Sequence, residues 1–310
     1  MNGYASVPNP GGYYPPQVGG YPASPGGYGV NPYQAQGYAN QPLPPVAAPS
    51  PLNFGGMQFV YVVDPMQELA LSTGVLIRQQ PQFLEQITGC ESPNRYFVFS
   101  QSPQAGMKLL FKCKESSECC QRNCCSASAR EFVMDIKHIP DASMLMNENY
   151  QASFVHVHKP FKCTCFCLER PVMNATYTQG GQILGQVKQP FSCCDPIFHI
   201  YDSGNALRYI IHADCCQCGI LCSNNFCGKM SEACFNVYKD AGMSAPCGSI
   251  VKKMATLSEM VTSADSYQVN FPVDASPSEK LLLIITGLMI DYQFFEERAG
   301  NDDNNTVRTY

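Results

Sequence analysis

The chain has 310 residues and a formal net charge of −5, and none of its 45 charged residues (20 basic, 25 acidic) precedes Asp64. The charged part fits one domain of roughly 230 residues, a size that a single all-β barrel can reach. A mild negative charge argues against non-specific nucleic-acid binding as the main activity, so no nucleic-acid partner is expected.

The first residues carry neither a basic segment nor an apolar one, so we expect no secretory signal peptide. Asn2 stands where N-myristoylation requires glycine, so that lipid is not expected either. A chain that stays in the cytosol keeps its thiols reduced. The 18 cysteines are therefore expected to be free thiols.

Residues 1–56 are rich in Pro, Gly, Tyr and Gln, and half of the 24 prolines lie before residue 52. This composition buries too little apolar surface to offset the entropy of ordering, so we predict a disordered tail. Within it, residues 42–51 begin Pro42-Leu-Pro-Pro45. They are either a polyproline II ligand for an SH3 or WW domain or a plain spacer.

The middle of the chain contains short segments rich in aromatic and β-branched residues, separated by Gly, Pro, Asn and Ser clusters. Many short strands without long amphipathic helices between them predict an antiparallel barrel or sandwich. A short helix over 79–89, ended by Gly89, precedes them. The predicted strands are residues 95–100, 107–113, 130–136, 153–158, 183–187, 198–201, 207–213, 234–238 and 267–271.

The segment 276–297 predicts a long helix. Ser276 and Glu279 form a capping box, and Pro277 stands at the first helical position. The residues that follow are apolar on every side, which indicates full burial, either inside a protein or inside a bilayer. These apolar residues are Leu281, Leu282, Leu283, Ile284, Ile285, Leu288, Met289 and Ile290.

The length of the apolar run and its charged residue decide between the protein interior and the bilayer. A membrane-spanning helix needs about 20 apolar residues, whereas a run of about 10–14 is more typical of a buried core helix. Asp291 interrupts this run, and an aspartate deep in hydrocarbon costs roughly 2.5–3.5 kcal/mol. The sequence therefore favours a helix that fills a barrel, where Asp291 needs only a partner near the rim, and a membrane span is the alternative.

Three interpretations of the cysteine groups are open. Cys120-x₃-Cys124 and Cys218-x₃-Cys222 each match one half of a zinc site, but no tandem pair emerges. Several thiols are explained equally well as small buried hydrophobic groups. The third interpretation, S-acylation, concerns a different group.

Cys163, Cys165 and Cys167 alternate along the chain beside Lys159 and Lys162. One acyl chain holds a protein at a membrane only weakly, and stable attachment needs a second chain or a basic patch. Three closely spaced thiols with two lysines meet that requirement, so this cluster is a candidate palmitoylation site.

No arrangement of nucleophile, base and acid is present in the sequence. The histidines are scattered, and His156 and His158, on one face of a strand, are either an exposed pair or metal ligands. There is no G-x-S-x-G, no Walker loop and no H-E-x-x-H. The sequence therefore predicts no enzyme in the ordinary sense.

Several motifs resemble those of the phospholipid scramblase family, from about Gln79 to Glu297. The most specific is Cys119-Cys-Gln-Arg-Asn-Cys-Cys125. The others are Gln79-Gln80…Phe83-Leu-Glu…Thr88-Gly-x-Glu91…Asn94-x-Tyr96, Lys159-Pro-Phe-Lys-Cys163, Gly181-x-Ile-x-Gly-Gln-Val187, Phe271-Pro-Val-Asp274 and Met289-Ile-Asp-Tyr-Gln-Phe-Phe-Glu296.

The resemblance implies a mainly β, Tubby-like fold, in which a twelve-stranded antiparallel barrel encloses the hydrophobic C-terminal helix. We place the barrel domain at 57–298, its helix at 277–297 and a polar tail at 299–310. The implied activity is Ca²⁺-triggered, ATP-independent movement of phospholipids in both directions across the plasma membrane. Palmitate on Cys163, Cys165 and Cys167, or a single-pass helix, would hold the protein at the cytoplasmic face.

The Ca²⁺ segment of the family maps to residues 263–274. Ser263, Asp265 and Asp274 take EF-hand-like positions 1, 3 and 12, while Tyr267 takes position 5. With two carboxylates, and Gln268 in place of the interior glycine, we expect a weak site of roughly the 10⁻⁴–10⁻³ M class.

A second function is compatible with the same motifs: a palmitoyl-anchored interaction module that does not transport lipid. Moving headgroups across about 30 Å of hydrocarbon requires a polar path, so scrambling would need homo-oligomers or local membrane disruption. The basic nuclear-import segment of the family survives only as Lys252-Lys253, so no nuclear pool is expected by that route.

Overall fold

The structure, a computed structural model, describes residues 64–80, 93–102, 106–125, 128–139, 153–162, 169–221, 231–253 and 265–296, with the backbone of 52–54 and 57–59. The rest of the predicted tail 1–56, the polar tail 299–310 and the predicted site residues Cys163, Cys165, Cys167 and Ser263 lie outside the described residues. So does most of the helix expected over 79–89, whose first residue, Gln79, belongs to a strand.

A two-stranded hairpin, β1 (Leu52–Phe54) and β2 (Met57–Phe59), precedes the barrel. Phe54 pairs with Met57, so a two-residue Gly-Gly segment connects the strands. Two glycines between short apolar–polar–apolar runs favour such a tight connection. β1 lies within the segment 1–56 for which the sequence predicts a disordered tail.

Twelve further strands form a closed antiparallel barrel. Each strand pairs with its neighbours in chain order, and the first barrel strand pairs with the last to close the ring. In chain order the elements are α1 (Pro65–Leu71), β3 (Gly74–Gln79), β4 (Arg95–Ser102), β5 (Gly106–Ser116), α2 (Cys119–Cys124), β6 (Phe132–His138), β7 (Ser153–Lys159), β8 (Val172–Tyr177), β9 (Ile183–Lys188), β10 (Ile197–Asp202), β11 (Leu207–His212), α3 (Cys218–Leu221), β12 (Ala233–Tyr238), β13 (Gly248–Lys252), β14 (Ser266–Asn270) and α4 (Pro277–Ile290).

The predicted barrel is confirmed, and each of the nine predicted strands overlaps a strand of the structure. β3, β8 and β13 were not predicted. β8 contains Asn174 and Ala175 and β13 begins with Gly248, so both lack the dense β-branched and aromatic composition that signals a strand. β6 begins at Phe132 rather than at Arg130, because Arg130 turns into the end of the barrel.

Helix α4 fills the barrel, which confirms the prediction of a helix enclosed by strands. All its residues from 279 to 290 are buried, and its capping box is present: Glu279 N donates to Ser276 Oγ (3.3 Å) while Ser276 N donates to Glu279 Oε2 (2.7 Å). Lys280 Nζ donates to the carbonyls of Leu69, Ala70 and Ser72 at 2.8–3.0 Å, which satisfies the C-terminal end of α1. No helix among the described residues has both the length and the apolar character that a bilayer span requires.

Two glycines allow the helix and the barrel wall to approach closely. Gly185 on β9 has φ +154°, and a Cβ there would lie 2.8 Å from Leu282 Cδ1 and would clash with the carbonyl oxygen of Tyr201. Gly287, on the helix, faces Ile77, whose Cδ1 would lie 3.0 Å from an added Cβ. At these two positions the helix therefore packs against the barrel wall without room for an extra methyl group.

We predict that Gly185→Ala lowers the free energy of unfolding by about 1–3 kcal/mol, because the added Cβ overpacks the contact with Leu282 and strains the backbone. Gly242→Ala is the matched control, since its Cβ would meet only Asp240 Oδ1, at 3.9 Å, on the surface. It should change stability by no more than about 0.5 kcal/mol. Denaturant unfolding of both variants checks this. Equal free energies of unfolding for Gly185→Ala and Gly242→Ala would argue against close packing of the helix at Gly185.

Candidate functional site

The barrel has two chemically different ends. In an antiparallel barrel with neighbours in chain order, alternate connections lie at the same end. The end reached by the C-terminus of α4 carries the connections 80–94, 117–131, 160–171, 189–196, 213–232 and 253–265. Of the 18 cysteines, 15 belong to these six connections, and we call this the cysteine end.

The predicted acylation cluster is part of the connection from β7 to β8, residues 160–171, which leaves and re-enters the barrel at the cysteine end. The residue before it, Lys162, stays partly exposed and anchors the connection through its backbone N–H to the carbonyl oxygen of Ala129 (3.0 Å). The expectation that Lys159 also faces the membrane is wrong. Lys159 is fully buried, its Nζ donates to the Arg130 carbonyl oxygen at 2.7 Å, and burial lowers its pKa to about 8.

Exposed apolar side chains also occur at this end. Phe161 is 51% exposed beside the acylation cluster, and Phe191 is 58% exposed in the connection from β9 to β10. Leu221 is 63% exposed at the end of α3. Four other exposed apolar side chains, Leu71, Ile183, Leu207 and Val273, lie at the opposite end, so exposure alone does not distinguish the two ends. The thiols in the connections do.

The candidate Ca²⁺ residues are separated by a strand. Asp265 lies just before β14 and is paired with buried Lys252 at 2.9 Å, whereas Asp274 lies after β14 and is paired with Lys239. Five strand residues span about 14 Å between their outer Cα atoms, too far for two oxygens to meet one Ca²⁺. The two carboxylates therefore do not fit one EF-hand-like loop.

Asp291 is the most unusual group at this end. It is 1% exposed, and its two oxygens accept from Tyr96 Oη and Tyr267 Oη, each at 2.5 Å. Both tyrosines are the second residues of their strands, so the partners of Asp291 lie at the end of the barrel. Burial, followed by the charge of Asp265, raises the pKa of Asp291 to about 6, although the two tyrosine hydrogen bonds oppose the shift. A π-helical turn, Asp291–Phe295, continues α4 here, which directs the carboxylate between strands β4 and β14.

A second buried polar network surrounds Arg130. Its guanidinium lies 3.2 Å from Glu115 and 2.5 Å from Glu296, and both carboxylates have further donors. Tyr292 Oη donates to Glu115 at 2.8 Å, and Asn94 Nδ2 donates to Glu296 at 3.0 Å. Burial raises the pKa of Glu296 to about 8. Sequence reasoning missed this network because its members come from separate strands and connections, without any local spacing.

The sequence-predicted metal ligands are not brought together among the described side chains. Cys222 and the side chains of Cys120 and Cys124 lie outside that part of the structure. His156 instead contacts Asp135 at 3.0 Å, and His158 contacts Glu131 at 2.9 Å. All ten described cysteines are free thiols.

The cysteine end also holds a cluster in which Asp214, which the sequence did not single out, joins the first two cysteines of the group 215–222. Ligand atoms of Asp214, Cys215 and Cys216, just after β11, lie within 4.8 Å of one another. Asp195, from the neighbouring connection, accepts from the backbone N–H of Cys215 at 3.1 Å and contacts His212 at 3.0 Å. A carboxylate beside two adjacent thiols is suited to metal binding rather than to acid–base catalysis.

We predict that the contribution of Asp291 to wild-type stability falls by about 2–3 kcal/mol as pH rises from about 4 through about 6. The pKa of Asp291 in the folded protein, about 6, lies above its ordinary value of 3.8. The stabilisation from its proton is therefore complete below pH 3.8 and is lost as pH rises through about 6. Asp291→Asn should lack this contribution to the pH dependence of stability. Tyr267→Phe should shift the contribution to higher pH, because it removes a hydrogen bond that lowers the pKa of Asp291. Denaturant unfolding at several pH values tests this, and superimposable curves for wild type and Asp291→Asn would contradict it.

The Scramblase family model matches residues 58–297, which include the whole barrel and α4. The chain is 28% identical to phospholipid scramblase 2 of Bos taurus, over 84% of this chain and 76% of that protein. It is 27% identical to phospholipid scramblase 1 of Homo sapiens, over 98% and 89% of the two chains. Phospholipid scramblase 4 of Homo sapiens is 24% identical over 93% and 80%. With the closed barrel and its enclosed helix, this match shows that the chain belongs to the scramblase family.

Proposed function

We propose that the protein is a phospholipid scramblase that moves lipids in both directions between leaflets, without ATP, in response to Ca²⁺, at the cytoplasmic face of the plasma membrane. The observation that carries the proposal is the match of the Scramblase model from 58 to 297, across all twelve barrel strands and α4. Relatives named phospholipid scramblases align over most of their own length. The chain has no need of a catalytic constellation for this activity, since no covalent bond is made or broken.

The cysteine end is the surface that we assign to the membrane. Phe161 and Phe191 lie exposed there, and the connection that holds Cys163, Cys165 and Cys167 begins and ends there. Palmitoyl chains on these thiols would enter the same leaflet as the aromatic side chains. Each acyl CH₂ that is buried contributes about 0.8 kcal/mol, so two or three chains attach the barrel stably.

The enclosed helix limits how lipids can move. A headgroup needs a polar path across about 30 Å of hydrocarbon, and α4 is surrounded by strands. We therefore propose that scrambling is carried out by homo-oligomers or by local disruption of the bilayer at the cysteine end. The Ca²⁺ response remains an expectation from the family, and no step is assigned to Asp265 or Asp274 because they do not fit one ion.

Reconstitution into vesicles with labelled phospholipids tests the proposed function. At high protein density, Ca²⁺ should increase loss of lipid asymmetry above that of protein-free vesicles and above that of chelator-treated samples. The variant Asp265→Asn/Asp274→Asn, compared with Asp202→Asn/Asp240→Asn, shows whether the response depends on the predicted ligands. No Ca²⁺-dependent transfer by the wild type would reject the proposal.

An alternative function is a palmitoyl-anchored interaction module of the same fold. The burial of α4 inside the barrel favours it, because the helix is already occupied by strand contacts. In this function residues 42–51 would dock an SH3 or WW domain, and the barrel would be the scaffold. Buried Lys252, paired with Asp265, gives no reason to add a nuclear role.

We predict that Cys163→Ser/Cys165→Ser/Cys167→Ser moves the protein from the membrane fraction to the soluble fraction, because the acyl anchor is lost. Cys193→Ser/Cys194→Ser, at the same barrel end, is the matched control and should stay at the membrane. Fractionation followed by an alkaline carbonate wash is the measurement. A triple variant that resists the wash would instead indicate a spanning helix.

A further inference from the structure

The cluster Asp214, Cys215 and Cys216 has the distances of a metal site. The sulfur atoms of Cys215 and Cys216 are 3.9 Å apart. A disulfide would place them about 2.0 Å apart, whereas two thiolates at 2.3 Å from a tetrahedral Zn²⁺ lie about 3.8 Å apart. The observed separation therefore matches two ligands of one ion.

The backbone around these ligands is held from three sides. Asp195 accepts from the N–H of Cys215 (3.1 Å), and Asp214 Oδ1 accepts from the N–H of Cys216 (2.8 Å). Gln217 then fixes the segment to the edge of β12, since its side chain donates to the carbonyl oxygen of Cys234 (2.8 Å) and accepts from the N–H of that residue (2.7 Å). Asp195 and Gln217 thus hold this segment from outside the cluster, and Asp214 holds the backbone of Cys216 from within it.

A supporting shell also surrounds the cluster. Oδ2 of Asp195 contacts His212 Nε2 at 3.0 Å, while Oδ1 accepts from Cys215, so both oxygens of this carboxylate have a partner. Such outer contacts orient metal ligands and contribute to metal affinity. Asp214 and Cys216 are exposed, so an ion can reach the ligands from solvent and a coordination position stays open.

We propose that Asp214, Cys215 and Cys216 bind a thiophilic divalent metal ion of the zinc class. Thiolate sulfur with one carboxylate oxygen suits Zn²⁺, whereas Ca²⁺ takes oxygen ligands only. Binding forms two metal–sulfur bonds and one metal–oxygen bond, and the two thiol protons are released to solvent. The site differs from the Cys218/Cys222 pair that spacing suggested, and it is independent of lipid transport.

The experiment uses the full-length chain, purified under reducing conditions and titrated with Zn²⁺ against a chromophoric chelator. One Zn²⁺ should bind per chain at this site, and Co²⁺ should give the charge-transfer absorption of two thiolates. Cys215→Ser/Cys216→Ser should lose one equivalent of metal and this absorption, whereas the control Cys193→Ser/Cys194→Ser should keep both.

Asp214→Asn keeps both thiols and serves as the second variant if Cys215→Ser/Cys216→Ser unfolds, with circular dichroism reporting the fold of each. It should retain the barrel spectrum and bind the ion more weakly. Absence of Zn²⁺ binding by the wild type would overturn the proposal. Equal metal content in the two cysteine double variants, or unchanged affinity in Asp214→Asn, would assign the metal to other residues and overturn it as well.

Discussion

The enclosure of α4 is the constraint on which the rest of the structure depends. A helix that is apolar on every side is stable in water only if every side is covered, and the twelve-stranded barrel supplies that cover. Gly185 on the barrel wall and Gly287 on the helix have no side chain, which allows the two elements to approach closely at these positions. Helix and barrel are therefore one packing unit.

The ends of the helix set its depth in the barrel. At the N-terminal end, Glu279 is held by Ser276 and by Arg208 at 2.7 Å, and Lys280 covers the end of α1. At the other end, Asp291 is held by tyrosines of β4 and β14. Isolated buried charges are costly, but hydrogen-bonded ones specify a single arrangement, since any rotation of the helix would leave them unpaired.

The order of the strands decides the surface chemistry. Because every strand pairs with its neighbour in the chain, alternate connections begin and end at the same end of the barrel, and five cysteine-containing connections that are far apart in sequence do so at the cysteine end. The same arrangement brings Asp195 to Cys215. The proposed membrane surface and the proposed metal site therefore involve different connections of one barrel end.

The sequence by itself determined an antiparallel β class (barrel or sandwich), most of the strands and the capping box at Ser276, because strand composition and helix caps are local signals. The choice of a barrel came from the resemblance to the scramblase family. The sequence also showed that α4 must be buried, since the run is apolar on every side. Only the tertiary structure decided that Asp291 is fully buried between two tyrosines, that Lys159 faces inward and that Asp195 contacts Cys215. Those outcomes depend on strand register and chain reversal, which bring together residues that no short spacing relates.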